Sequence, residues 1–164
     1  MDDHRTPDLC PSCGSQVSLY LADHRHDYRC PACREIVLFS RSDIGDVVVI
    51  SLAPATGMLV VELDQVCQAI HTIIESVAPP PRIILDLRHV VFISENFIAL
   101  AARILKELRP RSGVLKLCHA NRTTQEVLEL TRLTRVVHVC EDLQTALETI
   151  TSEWSTDTYD GPGP

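Results

Sequence analysis

The sequence predicts an α/β protein, a mainly parallel sheet flanked by helices, preceded by a small β module built around cysteines. Two observations carry this. Four of the seven cysteines form two C-x-x-C pairs near the start, "CPSC" and "CPAC", and from Ile36 onwards strand-like and helix-like periodicities alternate. With 164 residues, 45% hydrophobic and 23% charged, the chain can bury one ordinary core with a small appendage.

The first element is the cysteine module, residues 1–35. Cys10, Cys13, Cys30 and Cys33 form two pairs separated by 16 residues, a spacing that suits a tetrahedral zinc ion, each pair wrapping one knuckle around the metal. Between them Val17, Leu19 and Leu21 alternate with polar residues, and "ADHRHD" supplies a polar turn before Tyr28 leads back, so a hairpin is expected. Four thiolates complete the coordination sphere and leave no position for water or substrate, which predicts a structural zinc site. His24 and His26 fall in the turn and are read as solvated. The segment resembles a zinc ribbon, a module that serves transcription factors, enzymes and protein docking alike.

Residues 36–150 form the larger domain. "IVLFS" and "DVVVISL" read as two strands around the turn "RSDIGD". Leu63, Val66, Cys67, Ile70, Ile73, Ile74 and Val77 recur at helical spacing until "APPPR" stops the pattern. The strand "IILDL" follows, then a polar junction, then a helix with Phe97, Ile98, Ala101, Ile104, Leu105 and Leu108 on one stripe, ended by "RPRSG". "VLKLC" is the next strand, and "NRTTQEVLELTRL" a short helix in which Thr123 and Glu126 are expected to form a capping box. "RVVHVC" is the last strand and "EDLQTALETI" the last helix, with Leu143, Ala146, Leu147 and Ile150 inward. Strict alternation implies parallel strands joined through helices. Residues 151–164 lack periodicity and are expected to be disordered.

Charge narrows the function classes. Net charge is −2 over residues 1–40, −2 over 41–150 and −3 over the tail, so no segment gathers the positive charge that phosphate backbones demand of nucleic-acid binders. An adaptor associated with nucleic acid or the transcription machinery is therefore the alternative reading, prompted by the ribbon alone. No Gly-rich phosphate loop, Gly-x-Ser-x-Gly elbow or His-Glu-x-x-His helix occurs, and the chain is not read as an enzyme. Asp86 and Glu95 are read as a strand end and a helix cap. Cys67, Cys118 and Cys140 are read as core residues, and a second metal drawing on Cys118, His119, His138 and Cys140 matches no ligand spacing. The opening "MDDHRTPDLCPSCG" is acidic and polar where a signal peptide is basic and then apolar, and no apolar run reaches membrane-spanning length, so a cytoplasmic location is expected.

The junction inside "LDLRHVVFISENFIAL" places Ser94, Glu95 and Asn96 between a strand and a helix, where open α/β sheets usually meet ligands and partners. "IILDLRHVVFISENFIALAARILKEL" followed by "GVLKLCHANRTTQEVLELTRLTRVVHVCEDLQTAL" resembles the STAS domains of anti-sigma factor antagonists and related bacterial signalling proteins, over about residues 41–150. The resemblance implies a non-catalytic protein-interaction module, with a kinase-like anti-sigma factor or another STAS protein as partner. It also implies that Ser94 falls on the Asp of the family's switch loop, Glu95 on its phosphoacceptor Ser, Asn96 on the next Ser and Phe97 on the Gly. These four residues are the expected partner-binding loop. Glu95 cannot accept phosphate. It is either an imperfect phosphoserine mimic, with one charge against about 1.5 to 2, or an acid that favours the first helical turn, with Ser94 as N-cap.

Overall fold

A computed structural model of the chain describes residues 8–17, 29–53 and 63–152. The expected positions Leu19, Leu21, His24, His26 and Tyr28, and the tail from residue 153, lie outside the described residues.

The larger domain runs β1 (Phe39–Ile44), β2 (Val47–Leu52), α1 (Leu63–Ser76), β3 (Arg82–Asp86), α2 (Glu95–Leu108), β4 (Val114–Cys118), α3 (Arg122–Leu130), β5 (His138–Cys140) and α4 (Leu143–Ser152). The sheet order is β1-β2-β3-β4-β5, antiparallel for the first pair and parallel for the rest. The expected alternation of elements is present in full, with three local corrections. "RSDI" belongs to β1, and the turn shrinks to Gly45 and Asp46, Gly45 taking φ +61°. A polar run can pair because Ser40 and Ser42 are small enough to be buried, while Arg41 and Asp43 pair with each other at 3.0 Å. The last strand covers only His138–Cys140, since Leu133–Arg135 form a 3-10 turn. In α3 the cap is Asn121, not Thr123: its Oδ1 accepts from the Thr124 N–H at 2.8 Å, so the helix starts before a capping box at Thr123 can form, and Glu126 pairs instead with Arg122 at 3.2 Å.

Alternation along the strands sorts the two faces. Ile50, Leu52, Ile83, Leu85, Leu115 and Leu117 pack with α1 and α2 through Val66, Ile70, Ile74, Phe97, Ala101 and Ile104. Val47, Val49, Ile84, Cys118 and Cys140 pack with Ala146 and Ile150 of α4. The α2 stripe also buries Leu100, while Ile98 and Leu105 sit partly buried beside it, because a repeat of 3.6 aligns 97, 100, 101, 104 and 108. Lys116 is fully buried facing α4, donating to Thr149 Oγ1 at 2.9 Å and lying 3.1 Å from His138 Nδ1. Arg111, just past α2, donates to the carbonyls of Ile74 and Val77 and so satisfies the end of α1.

The cysteine module folds as two knuckles of the same design, twenty residues apart. Cys10 N–H donates to Ser15 O and Gly14 N–H to Cys10 O; Cys30 N–H donates to Glu35 O and Arg34 N–H to Cys30 O. Bridges Leu9–Gln16 and Arg29–Ile36 flank them. Leu9 then exchanges both backbone hydrogen bonds with Arg41 of β1, at 2.9 and 3.1 Å, so the module adds a short rung to the sheet's edge. Val37 and Ala53 pack with Cys10 and Cys30, sharing a small core between module and hairpin.

Candidate functional site

Two sites follow from this scaffold. In the first, one ligand atom from each of Cys10, Cys13, Cys30 and Cys33 lies within 4.8 Å of the others, with Cys10–Cys33 at 3.8 Å and Cys13–Cys30 at 3.6 Å between sulfurs. For Zn–S bonds of about 2.3 Å, the edge of a regular tetrahedron is about 3.8 Å, so the spacing fits the ion. The thiols themselves ask for a cation. Hydrogen bonds from the Ser15 side chain and backbone lower Cys13 to about 6. Cys33 is pulled down by the Glu35 backbone N–H, yet desolvation and the thiols of Cys13, Cys30 and Cys10 carry it up to about 12. Four thiolates cannot gather here without a compensating positive charge, and zinc would supply it.

The second site is the junction at the C-terminal ends of β3 and β4. Asp86, 0% exposed, ends β3 and accepts from the Arg88 backbone N–H at 3.1 Å, from Arg88 Nε at 2.7 Å, and pairs with His119 Nδ1 at 3.0 Å. Leu87 N–H donates to Cys118 O and Val90 N–H to Leu87 O, closing a tight turn. Asn121, which caps α3, donates its Nδ2 to the carbonyls of Val90 and Val91 at 3.2 and 2.7 Å. The first half of the loop is thus held twice, at Arg88 and at Val90-Val91. Val91, whose carbonyl Asn121 holds, and Phe92 just after it remain 70% and 43% exposed, and Ile93 then anchors the loop in the core.

The four residues expected at the partner loop are adjacent but differ in exposure. Glu95 is exposed at the first position of α2, and Asn96 is half-buried. Phe97, 2% exposed, belongs to the core: its helical phase aligns it with Ala101 and Ile104, so it supports the loop from below instead of meeting a partner. Ser94 has N-cap backbone geometry, and its carbonyl accepts from Phe97 N–H at 3.0 Å, but the expected hydroxyl cap is not made. Its Oγ is buried with no hydrogen-bond partner among the described residues. Arg88, Val91, Phe92, His119 and Asn121 were not singled out for the loop by sequence. The readable signal was the apolar run "VVFI" at residues 90–93, set between the polar Arg88-His89 and Ser94-Glu95-Asn96.

Burial acts to raise the Asp86 carboxyl, but the Arg88 side-chain and backbone bonds, with the charges of Arg88 and His119, hold it below the ordinary 3.8. A carboxylate lowered in the fold stabilises it fully above the unfolded value, and that contribution is lost as pH falls through the folded value. Stability is therefore expected to begin falling below about pH 4 and to continue falling with further acid. Urea midpoints across pH 2–7 check this: the gap between the wild type and Asp86→Asn should narrow on acidification.

No helix among the described residues is long and apolar enough to cross a membrane. Residues 41–146 match the family described as the STAS domain. No curated protein matches the chain. Among solved structures, an anti-sigma-factor antagonist (STAS) domain protein from Planctomyces limnophilus is 26% identical, with a TM-score of 0.62 over 69% of this chain and 97% of its own. The anti-sigma factor antagonist SpoIIAA in its unphosphorylated form is 19% identical, with a TM-score of 0.59 over 70% and 96%. A serine-to-glutamate variant of RsbS from Moorella thermoacetica is 14% identical, with a TM-score of 0.60 over 71% and 97%. With the family matching most of its length, and with the same sheet and helices in place, the chain belongs to the STAS domain family.

Proposed function

We propose that the protein is a non-catalytic interaction module of bacterial signalling, acting as anti-sigma factor antagonists do, through the loop around Ser94, Glu95 and Asn96. Residues 1–35 serve as a structural zinc ribbon, with Cys10, Cys13, Cys30 and Cys33 as ligands, and residues 36–150 as the interaction domain. The observation that carries the reading is the exposed Glu95 at the start of α2, beside exposed Val91 and Phe92 on a loop clamped by Asp86 and Asn121. A clamped loop binds at lower entropic cost than a mobile one. The apolar pair supplies contact area, and Glu95 supplies a fixed negative charge in the register of the family's phosphoacceptor. The partner is a kinase-like anti-sigma factor or another STAS protein. The named resemblance to SpoIIAA and to a serine-to-glutamate RsbS variant supports this choice.

The test is retention of cytoplasmic proteins on the wild type, Glu95→Ser, Glu95→Ala, and a Val91→Ser/Phe92→Ser double variant. The double variant is expected to lose such a partner. Removing the phosphate-like charge is expected to raise its retention about tenfold, or roughly 1.4 kcal/mol. Four baits that behave alike would reduce Glu95 to a helix-favouring acid and remove the loop from the interface.

A further inference from the structure

The ends of β3 and β4 hold a group of which the proposed partner binding draws only on the Asp86 clamp. Asp86 and Cys118 are neighbours across the parallel ladder, and both are 0% exposed. His119 follows with φ +57°, a left-handed conformation unfavourable for a residue with a β-carbon. In that conformation its Nδ1 lies 3.0 Å from Asp86 Oδ1. One carboxylate oxygen, one sulfur and one ring nitrogen therefore lie within 4.8 Å of one another. His138 and Cys140, weighed with Cys118 and His119 from sequence and set aside, are not part of this cluster. Carboxylate, thiolate and imidazole are the three ligand types that zinc accepts. Three ligands also leave a fourth position open, and His119, whose side chain is 28% exposed, gives it a route to solvent.

We propose that Asp86, Cys118 and His119 form a second divalent-metal site of the zinc class, and that Arg88 holds the Asp86 carboxylate when the metal is away. Binding transfers the Cys118 thiol proton to solvent and requires a neutral ring nitrogen on His119. Arg88 and the ion compete for one buried carboxylate, since two cations on it would repel at short range. Arg88 also opens the segment that leads to Val91, Phe92 and Glu95. Metal entry therefore frees the base of that loop, a consequence that rests on the function proposed above, whereas the site itself does not.

Zinc alone is the probe. Chelated, reduced protein is re-equilibrated with Zn²⁺ and the metal per folded chain is counted, with circular dichroism establishing the fold of each variant. Two ions are expected for the wild type, and one each for Cys118→Ala and His119→Asn, asparagine being chosen because it tolerates the left-handed backbone. A Cys13→Ser/Cys33→Ser variant is also expected to hold one ion, having lost the ribbon site. Arg88→Met is expected to bind the second ion at least tenfold tighter, an effect that a purely structural arginine would not produce. If His119→Asn and Cys118→Ala hold as much zinc as the wild type, the site is overturned. If Arg88→Met leaves the second affinity unchanged, the competition is overturned. Should Cys118→Ala fail to fold, His119→Asn decides alone. Loss of zinc confined to the ribbon variant would retain the ribbon reading and overturn this one.

Discussion

Asp86→Ala is expected to cost about 3–5 kcal/mol of folding stability, the range for breaking a buried ion pair by removing one partner. The carboxylate is wholly buried and takes hydrogen bonds from the Arg88 backbone and guanidinium while paired with His119. Alanine removes the carboxylate that the Arg88 guanidinium meets at 2.7 Å. The chain turn from β3 into the loop also loses the side-chain bond that shapes it. Against a typical total of about 5–15 kcal/mol, such a loss takes a domain near its unfolding threshold and lowers soluble yield. Glu95→Ala, at an exposed helix start, is expected to cost about 0.3–1 kcal/mol. Urea denaturation of the two variants checks the contrast; a cost below about 1 kcal/mol for Asp86→Ala would mean that the pair contributes little net energy.

Metal removal is expected to unfold the ribbon while leaving the sheet intact. Among the described residues its apolar contacts are few, Cys10, Cys30, Val17 and Cys33 with Val37 and Ala53 of the neighbouring domain, too little to order two knuckles unaided. Structural zinc supplies about 10–16 kcal/mol in comparable small modules. Under chelation, or in Cys30→Ser, the Gly14 and Arg34 amides that close the knuckles should lose hydrogen-exchange protection. Arg41 N–H should follow, because its acceptor is Leu9 O. Amides of β3 and β4, flanked by strands on both sides, should remain protected. Unchanged exchange at Gly14 and Arg34 would mean that the knuckles hold without metal.

Much of this was legible from residue order because periodicity is a local property. Apolar spacing of two or of three to four placed every strand and helix, and the C-x-x-C pairs marked the four residues that converge. Boundaries were less legible where chemistry and pairing disagree. Arg41, Ser42 and Asp43 look like a turn, yet they pair because β2 offers a complete antiparallel edge. Phe97 shows both sides of the same difficulty. Its place in the apolar stripe and its place in the switch register were each readable, but only packing decides that the ring is spent in the core.

The sequence by itself determined the order of elements, the four-cysteine module and the position of the junction, because each is written in spacings of a few residues. Only the tertiary structure decided what holds that junction. Asp86 meets His119, and Asn121 meets Val90 and Val91, across about thirty residues of chain, through parallel pairing of β3 with β4 and the start of α3 beside them. No local pattern encodes such meetings, since their partners are set by strand register and by a left-handed turn at His119.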